Sequence, residues 1–525
     1  MVVNLMNYIE LFAGCGGLSL GLKAVGFESI MANELSPMAS ETYAHNFYKE
    51  DLSEPNFLED QNPHTVWLSS NHPKDSMALR LREDPRDYPK FDDPEAFSDI
   101  ENLKSIRHKL VIGNIKELNR KLKMSPSMLE SINDADIVSG GPPCQSFSMA
   151  GLRELGNDRN TLPWEFMQFV KLTKPKTVVL ENVSGILRAF QSEGKPYYAW
   201  FEIAKGFASL GYVPICLHVN ARFSGIAQNR NRFILIAVKS DIFEQRLASF
   251  NNLELSLIKQ NLNFYRKISE SHTVEFGDIQ VIDLTKANNF SLSNTFLAPF
   301  LEYRESNFTI KDVIDDLKVS GDSYGKENTY LNFVEKSLNT SSLSSKNDLH
   351  NHELRANSLP VKRRFRIYQV LNKLEPSERK EAFELLKGRR ASLSEQVINN
   401  LLGFEFLLLD GTFGKLGDEN DLINFLLQHS TKKHSQKALI ADMPAPSALS
   451  IPDDVCHYDE NELRTLTVRE MARIQSFPDS FVFKSKVTTG GKMRKFEVPQ
   501  YTQVGNAVPP LLGVALGKVI KNILN

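Results

Sequence analysis

Short runs typical of buried strands alternate with helical patterns near the start of the chain, and this alternation restricts the fold strongly. The runs at 7–12 (NYIELF) and 27–34 (FESIMANE) are each followed by a helical pattern. The second helix is predicted to start at Ser36, with Pro37 at its first helical position. Further strands are predicted at residues 108–115, 135–141 and 176–183. Strands that alternate with helices predict an α/β domain with a mainly parallel sheet.

The α/β pattern is interrupted by a long segment of different composition. It continues to about residue 240 and returns near residue 460. A chain of 525 residues is too long for one compact core, so two domains are expected. We predict a main domain from residues 1–240 and 460–525 and a second domain from residues 241–459. A polar stretch at about 51–99 is predicted to be an insertion or a long loop outside the core.

The composition is that of an ordinary globular protein. The formal net charge is −2, so a site for a polyanion has to be a local patch. The four cysteines are widely spaced, which predicts neither a disulfide framework nor a CxxC metal site and indicates a reducing compartment. The chain shows no apolar run of membrane-spanning length and no signal peptide, and we expect a cytoplasmic enzyme.

A glycine-rich loop joins the first predicted strand to the first predicted helix. Gly14, Gly16 and Gly17 permit positive φ and close approach of a ligand to the backbone. Glu34 ends the next strand, where a carboxylate can accept hydrogen bonds from ribose hydroxyls. The spacing GxGGxxxG differs from the GxGxxG of dinucleotide sites and favours a nucleoside without a pyrophosphate. The alternative is a tight turn that binds nothing.

Three further features carry reactive or charged side chains. Cys144 follows a predicted strand and two prolines, which suits an accessible nucleophile, although a packed thiol is the commoner fate of a lone cysteine.

Glu181 ends another strand and is a candidate acid or amide acceptor, or else a solvent-facing residue. Arg230 and Arg232 are two residues apart, so an extended segment points both to one side. They suit a phosphate or a polarised carbonyl, or else form an exposed basic strand end.

These motifs occur in a fixed order that resembles the C5-cytosine-specific DNA methyltransferase family. The loop FAGCGG is similar to the family's cofactor-binding motif, and GGPPCQSFS is similar to its catalytic motif. Four further stretches of this sequence are similar to motifs of the family: ENV, QNRNR, LTVREMARIQSFPDSF and QVGNAVPP. The resemblance implies a Rossmann-like methyltransferase domain that depends on S-adenosyl-L-methionine, in residues 1–240 and 460–525. It also implies a target-recognition domain in residues 241–459.

The resemblance implies a mechanism in which Cys144 adds as a thiolate to C6 of a cytosine flipped out of double-stranded DNA. Glu181 would contact N3 and the exocyclic amine, and Arg232 would orient Glu181 with the assistance of Arg230. The methyl group would pass to C5 from S-adenosyl-L-methionine, leaving S-adenosyl-L-homocysteine, and no metal is implied.

The resemblance also implies a set of cofactor contacts. They are Phe12, Gly14, Gly16, Gly17, Glu34, Asn114, Ile115, Leu162, Asn506 and Val508. Asn114 stands where the family usually has an acidic residue, but its amide oxygen can still accept from the adenine amino group.

DNA contacts are expected at two places. Residues 145–162 match a mobile loop that closes over the flipped base, with a static surface loop as the alternative. Candidate contacts near the catalytic motif are Pro142, Gln145, Ser146, Ser148, Arg153, Arg159, Asn182 and Gln228. The basic stretch 361–390, which includes Arg363 and Arg364, is predicted to contact phosphates, with a solvated amphipathic helix as the alternative for 373–390.

Two other functions compete with a DNA methyltransferase. One branch of the family acts on tRNA, but that branch is compact and lacks the long central segment. A catalytically inactive DNA-binding module is disfavoured by the intact Cys144, Glu181 and Arg232. We expect a monomeric bacterial modification enzyme, part of a restriction-modification system, with a cognate endonuclease that forms no stable complex with it. The DNA sequence that it recognises is not evident from the chain.

Overall fold

A nine-stranded sheet lies at the centre of the protein. The computed structural model describes residues 5–54, 57, 59, 62–143, 161–192, 195–286, 290–320, 327–343, 345, 348–430, 436–447, 455–491, 493 and 496–525. The strands of the sheet are β1 Asn7–Leu11, β2 Glu28–Glu34, β3 Thr65–Trp67, β4 Lys109–Ile112, β5 Ile137–Gly140, β6 Thr177–Val183, β9 Tyr212–Asn220, β10 Asn231–Lys239 and β11 Val281–Asp283. Short two-stranded sheets are formed by β7 Phe190–Ser192 with β8 Lys195–Tyr197, β12 Phe406–Leu407 with β13 Phe413–Gly414, and β14 Lys437–Ala438 with β15 Val455–Cys456.

The strand order is β11-β9-β10-β6-β5-β1-β2-β4-β3. Among the described strands of the nine-stranded sheet, only the pairs that β10 makes with β6 and β9 are antiparallel. The order reverses at β1, with β5 on one side and β2 on the other. The predicted α/β class with a mainly parallel sheet is therefore confirmed, and the carboxyl ends of β1, β2, β4, β5 and β6 face the crevice where such sheets bind ligands.

Helices cover both faces of the central sheet. Further helices, between residues 359 and 428, form a second core that is separate from the sheet. The helices are α1 Gly17–Ala24, α2 Pro37–Tyr48, α3 Met77–Arg80, α4 Ile115–Met124, α5 Pro126–Glu130, α6 Leu162–Thr173, α7 Ala199–Ser209, α8 Ser240–Arg246, α9 Asn252–Ser269, α10 Ile310–Ile314, α11 Thr329–Leu338, α12 Leu359–Leu371, α13 Pro376–Leu386, α14 Glu395–Leu402, α15 Glu419–Gln428, α16 Val468–Ile474, α17 Gln500–Asn506 and α18 Pro510–Leu524. The predicted start of α2 is confirmed, because Ser36 Oγ accepts a hydrogen bond from Ala39 N and Pro37 is the first helical residue.

The polar stretch 51–99 does contribute to the core, contrary to the prediction. Its strand β3 pairs in parallel with β4 at the edge of the sheet. Trp67 and Leu68 are 0% exposed. A three-residue strand flanked by Asp, Asn and Pro carries too little periodicity to be seen in the sequence.

The segment 241–459 is divided differently from the prediction of one second domain. Its first part, through α11, packs on the central sheet, where β11 pairs with β9 and Leu297 and Val334 share a core with α18. A separate core begins at α12 and includes Ile367, Leu385 and Leu401. Residues 240–338 are therefore structurally part of the main body.

The C-terminal helix is buried against the first helix. The span Gln500–Leu524, which includes α17 and α18, is long and apolar enough to cross a membrane by length and composition alone, but 67% of its most apolar stretch is buried inside the protein. A Cβ on Gly21 would lie 2.7 Å from the Cα of Gly513 and 2.3 Å from the carbonyl oxygen of Pro510. These glycines allow α1 and α18 to pack at backbone contact, which brings the end of the chain beside the glycine loop.

Candidate active site

The glycine loop after β1 contains backbone conformations and close contacts that favour glycine. Gly14 and Gly16 have φ of 56° and 93°, and a Cβ on Gly16 would lie 2.3 Å from the Phe47 ring. A Cβ on Gly17 would lie 2.2 Å from the carbonyl oxygen of Val508. The structure thus brings the predicted first and last motifs together, with Val508 half-buried and Asn506 exposed beside them.

Glu34 is held at the carboxyl end of β2 by backbone groups. Its Oε1 accepts from Ser36 N at 2.8 Å, and its Oε2 accepts from Gly14 N at 2.8 Å. Burial raises the pKa of Glu34, although these backbone N–H groups oppose the shift. Each carboxylate oxygen keeps a lone pair, so Glu34 is fixed in place and still able to accept from a ligand hydroxyl.

Asn114 caps the helix that follows β4. Its Oδ1 accepts from Lys116 N at 3.0 Å, and Ile115 is 3% exposed as the first residue of α4. A ligand that uses the Asn114 amide oxygen must share it with this cap. Asn114 is therefore held in place as the N-cap of α4, a role that was not predicted from the sequence.

Two apolar side chains, Phe12 and Leu162, are candidates for apolar contacts to a ligand. Phe12 has a φ of 55° and stacks on Phe166, with ring centroids 6.5 Å apart. Leu162 opens α6, and both Phe12 and Leu162 are partly buried against the same core. Phe12, Glu34, Asn114 and Leu162 thus lie at the carboxyl ends of the strands, or at the start of the helix that packs beside them.

Glu181 and Arg232 form a buried ion pair between neighbouring strands. Arg232 Nε donates to Glu181 Oε1 at 2.7 Å, and the two side chains are 10% and 13% exposed. Burial lowers the pKa of Arg232, and the charge of Glu181 opposes this shift. A Cβ on Gly141 would lie 3.2 Å from Glu181 Oε2, so the carboxylate faces the turn that leads to Cys144.

The same turn is tied to β6 by a second residue. Asn182 Nδ2 donates to the carbonyl oxygen of Pro142 at 3.0 Å, and Pro142 is buried. Asn182 therefore acts on the backbone of the turn, and its buried side chain does not face an open DNA surface. The predicted residues Cys144, Gln145, Ser146, Ser148, Arg153 and Arg159 lie outside the described residues.

The Arg230 guanidinium bonds to carbonyl groups at the end of α17 and just after it. Its Nη2 donates to the carbonyl oxygens of Gly505 at 2.9 Å and Ala507 at 3.0 Å, and its Nη1 donates to Ser447 at 3.4 Å. Burial lowers the pKa of Arg230, and the neighbouring charge of Arg232 lowers it further. These bonds give Arg230 a positioning role for residues 505–507, where α17 ends.

Gln228 is also interior. It is 0% exposed, and its Nε2 donates to the carbonyl oxygen of Pro446 at 3.1 Å. The structure thus separates Gln228 from any exposed surface on which it was predicted to meet DNA.

Arg363 does not lie on an exposed basic face, contrary to the prediction. It is 5% exposed, its Nε donates to the carbonyl oxygen of Leu407 at 3.2 Å, and its guanidinium lies 4.9 Å from the centre of the Phe425 ring. Burial lowers the pKa of Arg363. The next residue, Arg364, is half-buried. The basic run appears in the sequence as a surface patch, but the turn of α12 directs Arg363 into the second core.

The other three cysteines are buried thiols. Cys15, Cys216 and Cys456 are each at most 2% exposed. Burial raises the pKa of all three thiols, that of Cys15 to about 12. A thiol with a raised pKa and no access is inert, so none of these three suits nucleophilic chemistry.

One buried carboxyl group was missed in the sequence. Glu10 in β1 is 3% exposed and accepts from Ser19 Oγ, which lies 3.1 Å from the Tyr43 hydroxyl. Burial raises the pKa of Glu10 to about 8. A glutamate inside the apolar run NYIELF is the signal that could have revealed it, because an inward-facing carboxyl group requires a partner.

The described part of the chain contains no group of three or more His, Cys, Asp or Glu side chains placed to hold a metal ion. The site therefore consists of the glycine loop, Glu34 and Asn114 on one side, and the Glu181–Arg232 pair beside the Pro142 turn on the other.

Comparison with known proteins identifies the family. The family model for C-5 cytosine-specific DNA methylases matches residues 6–64 and 98–522. The chain is 27% identical over 524 residues to Type II methyltransferase M.DdeI of Desulfomicrobium norvegicum, covering 98% of this chain and 88% of that protein. It is 26% identical over 518 residues to Type II methyltransferase M1.HphI of Haemophilus parahaemolyticus, covering 98% and 86%. It is 25% identical over 559 residues to Type II methyltransferase M.Bpa9945I of Bacillus paralicheniformis, covering 99% of each. The chain therefore belongs to the C-5 cytosine-specific DNA methylase family.

Proposed function

We propose that the protein methylates C5 of cytosine in double-stranded DNA, with S-adenosyl-L-methionine as the methyl donor. The observation that carries this proposal is the buried Glu181–Arg232 pair, whose carboxylate faces the turn leading to Cys144. A carboxyl group held there can contact the ring nitrogen and amino group of a cytosine while the thiol attacks the same ring.

In the proposed reaction the Cys144 thiolate adds to C6 of the cytosine, forming a carbon–sulfur bond. Glu181 contacts N3, which takes up the electron density that this addition places on the ring. Carbon 5 then becomes nucleophilic and accepts the methyl group. Loss of the C5 proton and elimination of the sulfur restore the aromatic ring and free Cys144. Arg232 keeps the Glu181 carboxyl in position during these steps.

The residues of the crevice fit S-adenosyl-L-methionine. Glu34 is fixed by two backbone N–H groups and is available to ribose hydroxyls, and no atom of the described residues lies within 4 Å of a Cβ placed on Gly14. Phe12, Ile115 and Leu162 offer apolar contacts to the adenine, while Asn114 shares its capping oxygen. Gly16, Gly17, Asn506 and Val508 would complete the site. When bound, the cofactor supplies an electrophilic methyl group.

The proposal includes base flipping, since a cytosine within a duplex cannot reach a thiol in the crevice. Residues 145–162 would close over the extruded base. The second core from α12 to α15, within the predicted target-recognition segment 241–459, would contact the DNA together with neighbouring loops. We further propose a monomer that acts in the bacterial cytoplasm, within a restriction-modification system. The Type II names of its relatives support this setting.

Bisulfite sequencing of plasmid DNA incubated with the protein and S-adenosyl-L-methionine tests the function. We expect one cytosine within a defined short sequence to be protected from conversion. Purified tRNA incubated in parallel should gain no methyl group, and methylation of tRNA alone would contradict the proposal. A duplex with 5-fluorocytosine at the target position should form a covalent adduct with wild-type protein and none with Cys144→Ser.

A Cys216→Ala variant is the matched control, because this thiol lies buried in the sheet. It should retain both methylation and the adduct. Failure of the wild-type protein to protect any cytosine or form the adduct would contradict the proposal and favour a DNA-binding module.

A further inference from the structure

Residues 65–97 fall outside the match to the family model, yet they lie beside the predicted adenosine contacts. Strand β3 pairs with β4 in the register Trp67 to Ile112, and Leu68 N donates to Ile112 O at 2.8 Å. A Cβ on Gly113 would lie 2.6 Å from the Cβ of Leu68. The segment therefore leaves the sheet directly next to the Gly113–Ile115 turn.

The far end of this segment is fastened on both sides of the same turn. Pro89 accepts a hydrogen bond through its carbonyl oxygen from Ser69 Oγ at 2.7 Å, at the end of β3. Phe91 packs under the guanidinium of Arg120 at 4.3 Å, and Asp92 pairs with Arg120 at 2.5 Å. Arg120 belongs to α4, which starts after Asn114. Residues 88–92 thus cross from the end of β3 to α4, past the turn that carries Asn114.

Tyr88 places a polar atom at the inner side of this crossing. Its ring packs against the cluster that includes Ala13, Trp67 and Ile112, and its hydroxyl oxygen is buried without a hydrogen bond among the described residues. The Trp67 indole N–H lies near this hydroxyl, and within the described part of the chain it has no well-formed hydrogen bond of its own. An indole N–H can only donate, so the proton of the Tyr88 hydroxyl is left without an acceptor.

Charges nearby keep that proton in place. Burial raises the pKa of Tyr88, and the charges of Glu83 and Glu34 raise it further. Tyr88 therefore stays a hydrogen-bond donor at neutral pH, within electrostatic range of the carboxylate at the end of β2. A buried donor without an acceptor is destabilising, and a ligand oxygen at this place would relieve the cost.

We propose that residues 65–97 form the outer wall of the cofactor pocket and that Tyr88 donates a hydrogen bond to a ribose hydroxyl of the adenosine moiety. A ribose hydroxyl can donate to Glu34 and accept from Tyr88 at the same time. This inference rests on the proposed function, because it assumes that S-adenosyl-L-methionine binds at Glu34 and Asn114.

Isothermal titration calorimetry with S-adenosyl-L-homocysteine tests the contact without turnover. Tyr88→Phe should weaken binding about 5- to 10-fold, as expected for loss of one hydrogen bond to a ligand. Its melting temperature without ligand should be equal to or above that of the wild type, because the change removes a buried donor that has no acceptor among the described residues. The loss should be equal for 5′-methylthioadenosine, which keeps the adenosine and lacks the amino-acid tail.

Tyr48→Phe is the matched control. The Tyr48 hydroxyl is also buried and has no hydrogen bond to any residue that the structure describes, but its ring stacks on His64, before the amino end of β3. Its affinity for either probe should not change. A Tyr88→Phe affinity within twofold of wild type, or a loss seen only with S-adenosyl-L-homocysteine, would overturn the Tyr88 contact while leaving the proposed function intact. Absence of binding to the wild-type protein would overturn both.

Discussion

The Glu181 carboxylate accepts a hydrogen bond from Arg232 Nε at 2.7 Å, across the antiparallel pair that β6 makes with β10. Both side chains are nearly buried, so each charge depends on the other for compensation. The pair is thus rigid, and the position of the Glu181 carboxylate is set by a strand whose own register is fixed along nine residues.

Replacing Arg232 by Lys should reduce kcat about 100-fold. Lysine lacks the guanidinium Nε–H that bonds the Glu181 carboxylate, so the carboxylate is no longer held in the same position. The loss of one positioned group costs about 3 kcal/mol of transition-state stabilisation. Glu181→Ala should abolish turnover. It should also lower the free energy of unfolding by about 3–5 kcal/mol, since Arg230 and Arg232 are left buried without a countercharge. Methyl transfer kinetics and thermal unfolding measure both effects.

The exposed pair of Glu202 and Lys205 provides a control for this prediction. Its side chains are 32% and 45% exposed, and its atoms are 3.5 Å apart. Glu202→Ala should change neither kcat nor unfolding, since exposed pairs contribute little. Normal turnover in Glu181→Ala would exclude a role for this carboxylate in the reaction.

Alkylation of the native protein should single out Cys144. Burial raises the pKa of Cys15 to about 12, so its thiolate fraction at pH 8 is about 10⁻⁴ in addition to its lack of access. We expect N-ethylmaleimide to modify one thiol per chain, with parallel loss of methyl transfer, and mass spectrometry to locate it at Cys144. Modification of Cys15, Cys216 or Cys456 before unfolding would contradict this expectation.

Arg363→Ala should destabilise the protein without altering the salt dependence of DNA binding. The change removes the bond to Leu407 and the packing on Phe425, which should cost about 1–3 kcal/mol. Loss of a phosphate contact would instead lower the slope of log affinity against log salt by about 0.9. Filter binding across a salt series and thermal unfolding separate the two effects, with the exposed neighbour Lys362→Ala as the control for stability.

The central sheet could be predicted because its strands are buried on both faces. Strands β1, β2, β4, β5 and β6 appear in the sequence as short apolar runs, which is the signature of parallel strands. Residues 240–338 gave no such signal. Their amphipathic helices show which face is apolar but not which surface covers it, and the cover here is the central sheet and α18.

At the site, the two-residue spacing of Arg230 and Arg232 predicted that both side chains lie on the same side of a strand, but not which groups they bond. Arg230 and Arg232 were expected to act together, and in the structure Arg232 bonds Glu181 while Arg230 bonds the carbonyls of Gly505 and Ala507. Residues 505–507, at the end of α17, are remote in sequence, and their place beside Arg230 depends on the packing of α18 on α1. Such contacts follow from tertiary structure, which motif spacing does not contain.

The backbone contact between α1 and α18 should not tolerate a methyl group. Gly21→Ala would place a Cβ 2.3 Å from the Pro510 carbonyl oxygen, so the helices must separate and carry the loop at 505–508 away from Gly17. We expect the free energy of unfolding to fall by about 1–3 kcal/mol and cofactor binding to weaken. Gly490→Ala is the control, because no atom in the described part of the chain lies within 4 Å of a Cβ at that position. Equal melting temperatures for the two variants would contradict this account.

Glu10 should make the stability of the protein fall as the pH rises. Burial raises its pKa from 4.5 to about 8, so between these values the folded state holds a proton that the unfolded state has released. The native state then binds more protons, and the free energy of unfolding decreases by about 5 kcal/mol from pH 4.5 to 8. Glu10→Gln keeps the shape and an acceptor for Ser19 but cannot ionise, so it should be more stable than wild type at pH 8.5 and similar to it at pH 5.

Denaturant unfolding at half-unit pH steps measures the difference, with the exposed Glu28→Gln on β2 as the control. Parallel pH profiles for wild type and Glu10→Gln would show that Glu10 does not titrate in this range.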